Sequence, residues 1–248
     1  MNKLLAAGRR LATLGVFFGA FLLVFLGSLA APAAAQTDAP LLDPSLQGQL
    51  ERWLGAGPLY LENVYTRQAG DDALDFHAAA DGRGSNFTLM RIANDAGDNW
   101  LVGGYHPRSW SSTDGWHVAE RDWQRTGFLF NYTAPAVYRQ LLSDHILPSQ
   151  GSRQTYNWAD HGPTFGAGPD LFVDDQLTTS ISWQLSYGDP LFEGRSIIDG
   201  TYGGQFRRVD ALEIYTISLV PEPRTSALLA AGLALIGVAA RRRWRTMS

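Results

Sequence analysis

The spacing of apolar residues changes along the chain, and each change predicts a different element. Long apolar runs stand near both ends, Leu11–Leu29 and Ala227–Ala240. Between them the first signal is helical. Asp43 is placed to cap a helix with Pro44 at its first position, and Leu46, Leu50, Trp53 and Leu54 fall on one face. Gly55 and Gly57-Pro58 end it. A strand follows over Leu59–Tyr65. Asp71 or Asp72 then caps a second short helix, Ala73–Ala80, which Asp81-Gly82 stops. Beyond this point the pattern is mostly β. Phe87, Leu89, Met90 and Ile92 mark one strand, Asn94–Asn99 a polar turn, and Trp100–Tyr105 the returning strand of a hairpin. Further strands are expected over Gly127–Tyr132, Pro169–Asp174 and Ala211–Leu219, with a third short helix over Ala136–Leu142. Many short strands, Gly-rich turns and few helices predict a mainly β fold, a sandwich with short peripheral helices.

The two terminal runs have the flanks of targeting segments. Lys3, Arg9 and Arg10 precede the first run, and Ala33-Ala34-Ala35 follows it. This is the pattern of a secretory signal peptide over residues 1–35, cut after Ala35; an uncleaved N-terminal anchor is the other reading. Residues 36–49 then form a linker and the start of the first helix. At the other end, Pro221-Glu222-Pro223 precedes the second run, and Arg241-Arg242-Arg243-Trp244-Arg245 follows it. The arginines hold the terminus in the cytoplasm and leave the Pro-Glu-Pro triplet outside. A transmembrane segment over 226–240 is about 22 Å long at ~1.5 Å per residue, short of a ~30 Å hydrocarbon core, which suits a transient anchor better than a permanent one. Residues 220–248 resemble the PEP-CTERM signal of Gram-negative bacteria, which an exosortase recognises. The resemblance implies export across the inner membrane, at least transient attachment to it, and display in the cell envelope or release outside. The export machinery and an exosortase are then the expected partners.

Composition narrows what the middle can do. Residues 36–220 hold 12 Arg, no Lys and 23 Asp plus Glu, a net charge of −11. Nucleic acid is not expected as a partner, because its phosphates require a basic face. The chain has no Cys, which excludes thiol catalysis, disulfides and Cys-ligated metal centres. Seven of the eight Trp lie within residues 36–220 and supply large areas to bury.

Several segments, in order, resemble the TLDc domain family. They are Asp75-Phe76-His77 with Asp81-Gly82-Arg83-Gly84, then Phe87–Arg91, and Gly103-Gly104-Tyr105 with Ser109-Trp110-Ser111-Ser112. Phe128-Leu129-Phe130, Gly162–Gly166, Asp170–Asp174 and Val209–Tyr215 complete the set. The resemblance covers about 50–219 and implies a two-sheet β-sandwich. Ala80 stands where many members have Cys, and Gln184–Gln205 is a longer Gly- and Asp-rich excursion than the family leads one to expect.

Candidate chemistry is sparse. None of His77, His106, His117, His145 and His161 lies at a metal-binding helical spacing from another, and no nucleophile motif occurs. Neither a catalytic residue, a metal site nor a cofactor is predicted. In one strand, Asp170 and Asp174 share a face about 13 Å apart, too far to chelate one ion directly. Asn94–Asn99 has some Ca²⁺-loop character but lacks the spacing of an EF-hand. Tyr105, Trp110, His161, Asp170 and Asp174 are the candidate interaction surface, with Tyr105 and Trp110 serving either as core or as an aromatic shelf. The expectation is a non-catalytic module that binds an envelope protein or a polysaccharide. The alternatives are a polysaccharide or peptidoglycan hydrolase using carboxylates near Asp160–Asp175, and an indirect role in oxidative-stress resistance.

Overall fold

The computed structural model describes residues 39–144 and 150–219. The expected signal peptide with Ala35, and the tail with Pro221, Glu222, Pro223, the 226–240 segment, Arg241, Arg242 and Arg243, lie outside the described residues. Among the described residues no helix is long and apolar enough to cross a membrane.

Both N-terminal helices form where the capping residues predict. Helix α1 spans Pro44–Leu54; the Asp43 carboxylate accepts the Leu46 N–H at 2.7 Å, and Gly55 closes the helix at φ 72°. Strand β1 is Leu59–Thr66. Helix α2 spans Ala73–Ala80, where Asp72 and Asp75 cap each other's backbone reciprocally. The folded unit begins at Ala39. Leu41, Leu46 and Leu50 are all buried in it, and the Leu41 N–H is held by the buried Glu213 carboxylate at 3.0 Å.

The remaining strands are β2 (Asn86–Ala93), β3 (Asn99–His106), β4 (Gly115–Val118), β5 (Phe128–Asn131), β6 (Ala136–Arg139), β7 (Arg153–Asn157), β8 (Thr164–Phe165), β9 (Leu171–Val173), β10 (Thr179–Ile181) and β11 (Arg207–Leu219). The hairpin of β2 and β3 forms as predicted, with the Asn94–Asp98 turn closed by its own side chains. The helix expected over Ala136–Leu142 is instead strand β6. Seven residues are too few to hold a helix on their own propensity. Val137 and Tyr138 favour extended chain, and β5 offers an edge that β6 pairs along its whole length. Strands β4, β7, β8 and β10, five residues or fewer, were not predicted because so short a stretch shows no period.

The two sheets implied by the family resemblance are one antiparallel ladder of 11 strands, ordered β4-β7-β8-β9-β10-β11-β2-β3-β5-β6, with β1 on β11. Long β11 joins the parts by pairing with β10, β2 and β1 along its length. The ladder folds over on itself. Five steps separate β8 from β3, roughly 24 Å at ~4.8 Å per strand in a flat sheet. Yet the Phe165 ring of β8 lies 2.7 Å from where a Cβ at Gly104 of β3 would stand.

Alternation along β2 shows the result. Phe87 and Leu89 join α1 residues Leu46 and Leu50 on one face, while Met90 and Ile92 join Phe76, Trp110 and Phe165 on the other. Both faces are covered, which accounts for the nearly continuous apolar run in this strand. The close approach of the layers explains Gly103-Gly104. A Cβ at Gly103 would collide with the Thr88 carbonyl oxygen, and one at Gly104 would stand 2.7 Å from Leu129 and Phe165 side-chain atoms. Gly104→Ala is accordingly expected to lower unfolding free energy by about 1–3 kcal/mol through overpacking, and Gly103→Ala by more, because backbone cannot yield as a side chain can; urea midpoints would measure both.

Candidate functional site

A cleft of about 570 Å³ opens between the β5–β6 hairpin and the 184–200 loop, within the size range of small-ligand pockets. Its faces combine Trp100, Tyr138 and Phe192 with Arg139, Arg195 and Gln184. The loop is part of the long excursion noticed in the sequence.

Asp170 holds this loop in place. Its side chain is completely buried, and its carboxylate accepts N–H groups from Leu185 at 2.7 Å, Tyr187 at 2.8 Å, Ser186 at 2.9 and 3.0 Å, and Gly168 at 3.4 Å. Burial pushes the carboxyl up to about 7, against the pull of these donors. Five contacts from N–H groups that can only donate make the anion the form that fits. Gly166, at φ 69°, leaves room for the carboxylate, which any Cβ there would strike. Further bonds extend the seam. Ser182 Oγ donates to the Asp170 carbonyl at 2.7 Å and accepts the Ile197 N–H at 2.9 Å. Asn131 on β5 donates to the Ile197 and Ile198 carbonyls at 2.9 and 2.8 Å, which fixes the floor of the cleft. The Gly188 N–H donates to the Arg139 carbonyl at 2.8 Å, tying the loop to β6.

The five residues expected to form an interaction surface do not converge. Trp110 is 1 % exposed and packs against His106, Phe165 and Phe76 at ring-centre distances of 4.5, 5.2 and 5.7 Å. It is a core residue, because the folded-over layer and α2 close on it from two sides. Asp170 is buried for the reason just given and offers no surface. It also lies just outside β9, so it shares no strand face with Asp174. The Asp174 carboxylate caps a turn, accepting N–H groups from Thr178 and Thr179 at 2.8 and 3.0 Å. Tyr105 is half-buried on the α1 side against Phe87 and Phe128, and burial raises its phenol above the ordinary value. His161, partly exposed, stacks on Tyr156 at 5.3 Å and lies 3.0 Å from Asp160. Among the described residues no group of three or more His, Cys, Asp or Glu side chains is arranged to hold a metal.

A second polar cluster lies inside the fold. His106 Nε2 is 3.1 Å from His117 Nδ1, and Thr155 Oγ1 is 3.1 and 3.3 Å from these same nitrogens. Asp114 reaches His117 Nε2 at 3.4 Å. The order Thr, His, Asp is that of a nucleophilic triad, but Thr155 is fully buried, so no substrate reaches it. Burial holds His106 well below its ordinary value, with the His117 and Arg108 charges adding to the effect. Burial lowers His117 as well, and Asp114 acts against it.

Two expectations follow. Asp170→Ala leaves the loop N–H groups without an acceptor and is expected to cost about 3 kcal/mol or more, read from the denaturant midpoint. The histidines make stability depend on pH. Their folded-state values are depressed, so the unfolded chain binds protons first, and their contribution is lost as pH falls below the ordinary 6.5. Asp170, raised above its ordinary 3.8, titrates in the opposite sense. The His106→Gln/His117→Gln double variant separates the two: between pH 7 and 5 the native protein should lose more thermal stability than the variant.

Residues 219–243 match a family model described as the PEP-CTERM protein-sorting motif. No curated protein matches the chain. The motif implies recognition by an exosortase and, with it, export and sorting to the cell envelope or surface.

Proposed function

We propose that the chain displays a non-catalytic interaction domain at the cell envelope or surface, with the cleft between the β5–β6 hairpin and the 184–200 loop as its binding face. The sorting motif at 219–243 carries this reading, because it directly follows the last strand of the folded domain. An exosortase acting there handles the domain as cargo. The partner is an envelope protein or a matrix polysaccharide. The domain is TLDc-like in this account: the resembling segments fall in order on α2, β2, β3, β5, β8, β9 and β11, and residues 184–200 of the Gln184–Gln205 excursion that departs from the family line one wall of the cleft. Among the carboxylates near Asp160–Asp175, Asp170 is sealed in the core and Asp174 accepts from a turn, which supports a non-catalytic reading for these two.

Deleting residues 220–248 is expected to leave an exported, folded domain that no longer reaches its final place. Fractionating cells that express the full chain and the deletion, with an exosortase-deficient strain as reference, would measure this. An unchanged envelope distribution of the deletion would contradict the role of the tail.

A further inference from the structure

A groove of about 340 Å³ shares no residue with the cleft. It lies between the first turn of α2, the 158–160 loop and the turn after β9, and its lining includes Asp72, Leu74, Trp158, Asp160, Asp175 and Gln176. Its walls are fastened to each other. The Ala73 N–H donates to the Asp175 carbonyl at 2.8 Å, which ties the helix to the turn. His77 of α2 reaches the Asp81 carboxylate at 2.7 Å with Nδ1 and the Trp158 carbonyl at 2.9 Å with Nε2, which ties the helix to the loop. Two large apolar side chains nevertheless stay open in this fixed frame: Leu74 is 61 % exposed and Trp158 47 %. Apolar side chains left open in a groove mark a surface that a partner covers.

Charge decides what that partner is. Every ionisable side chain lining the groove is an acid. Each of the three carboxylates has one oxygen engaged and the other without a hydrogen bond among the described residues. Asp72 Oδ1 accepts the Leu74 and Asp75 N–H groups at 2.8 and 3.3 Å. Asp160 Oδ1 lies 3.0 Å from His161 Nδ1, and Asp175 Oδ2 accepts from Gln176 Nε2 at 3.4 Å. Among the described residues no Arg pairs with any of them. The start of α2 offers nothing to an anion, because Asp72 and the Asp175 carbonyl already take its first N–H groups. We propose that the groove docks a basic segment of a protein, with a Lys or Arg side chain laid along Leu74 and Trp158 and its charged end at the unengaged carboxylate oxygens. Such a side chain joins an aliphatic stem to a cationic head, the two features that the groove leaves unmatched. The Trp158 ring adds cation–π attraction. A bare metal ion would leave the apolar side chains uncovered, and among the described residues no three acids or histidines are arranged to hold one. An amino sugar holds its ammonium close against a rigid ring, whereas these carboxylates stand on three separate elements, which a flexible stem can reach. The inference goes beyond the cleft and does not rest on it.

The test titrates the full-length protein in detergent against a fluorescent peptide of alternating Lys and Leu, the same peptide with Gln for Lys, and an oligomer of glucosamine, with protein-free micelles as the blank. The Lys peptide is expected to bind about tenfold more tightly than the Gln peptide, the effect of two or three partly screened ion pairs. Added salt should shrink that preference. Asp160→Asn/Asp175→Asn should remove it. Glu62→Gln/Asp95→Asn, which takes two charges from exposed positions elsewhere, should leave it intact. Leu74→Ser should weaken both peptides alike. Equal loss of the preference in the two double variants would mean attraction to an acidic surface in general and would overturn the groove as the site. Equal binding of the Lys and Gln peptides would overturn the cationic occupant. Tighter binding of the glucosamine oligomer than of the Lys peptide would overturn the protein segment in favour of a glycan.

Discussion

A single buried carboxylate organises the cleft wall of this domain. Asp170 sits at the start of β9, with no water access, and gathers the backbone N–H groups of Gly168, Leu185, Ser186 and Tyr187. A loop so rich in polar backbone has no strand partner for these groups, and without an acceptor they would oppose burial. The carboxylate solves the problem in one place and fixes where the loop leaves the sheet. Everything built on the 184–200 loop inherits that position: the Ser182 and Asn131 fastenings, the Phe192 ring and the Arg195 guanidinium.

The scaffold beneath follows from close packing of two layers. The ladder never breaks into separate sheets, because β11 is long enough to pair with strands of both halves. It folds over instead, and the approach of Phe165 to Gly104 shows how tightly the halves meet. Trp110 lies at this junction, where its size fills the space between α2, β3 and β8. Two further buried charges are matched to the same packing. Arg125 is enclosed by the carbonyls of Ala119, Glu120 and Leu141, and Glu213 anchors the chain at Leu41.

The legible parts of the fold were those with local causes. Both helices were marked by their caps, Asp43 and Asp72, and the first hairpin by a polar turn between two apolar runs. The closing strand was recognised by its apolar content, though it starts at Arg207 rather than Ala211. What stayed hidden has non-local causes. Thr164-Phe165 is a strand only because neighbours on both sides pair with it. Val137 and Tyr138 fit a short helix or a strand equally well until β5 is placed beside them. Asp170 was singled out with Asp174, as acids on one strand face and part of an interaction surface, because burial and exposure leave the same trace in sequence. The cleft was missed because Tyr138 and Arg195 stand 57 positions apart and are brought together only by the loop. The one available sign was the length of the Gln184–Gln205 excursion. The sorting motif at 219–243 was readable because its information lies in the order of its segments.

The central claim is that the Asp170 anion, acting through the backbone, holds the wall of the cleft. Amide hydrogen exchange at Leu185, Ser186 and Tyr187 in the native protein tests it most directly. If the account is right, these three amides are protected to the level of the β2–β3 hairpin, although they lie in a loop. Exchange as fast as in the exposed Gly203–Phe206 segment would mean that the carboxylate does not hold them, and the cleft would lose its physical basis.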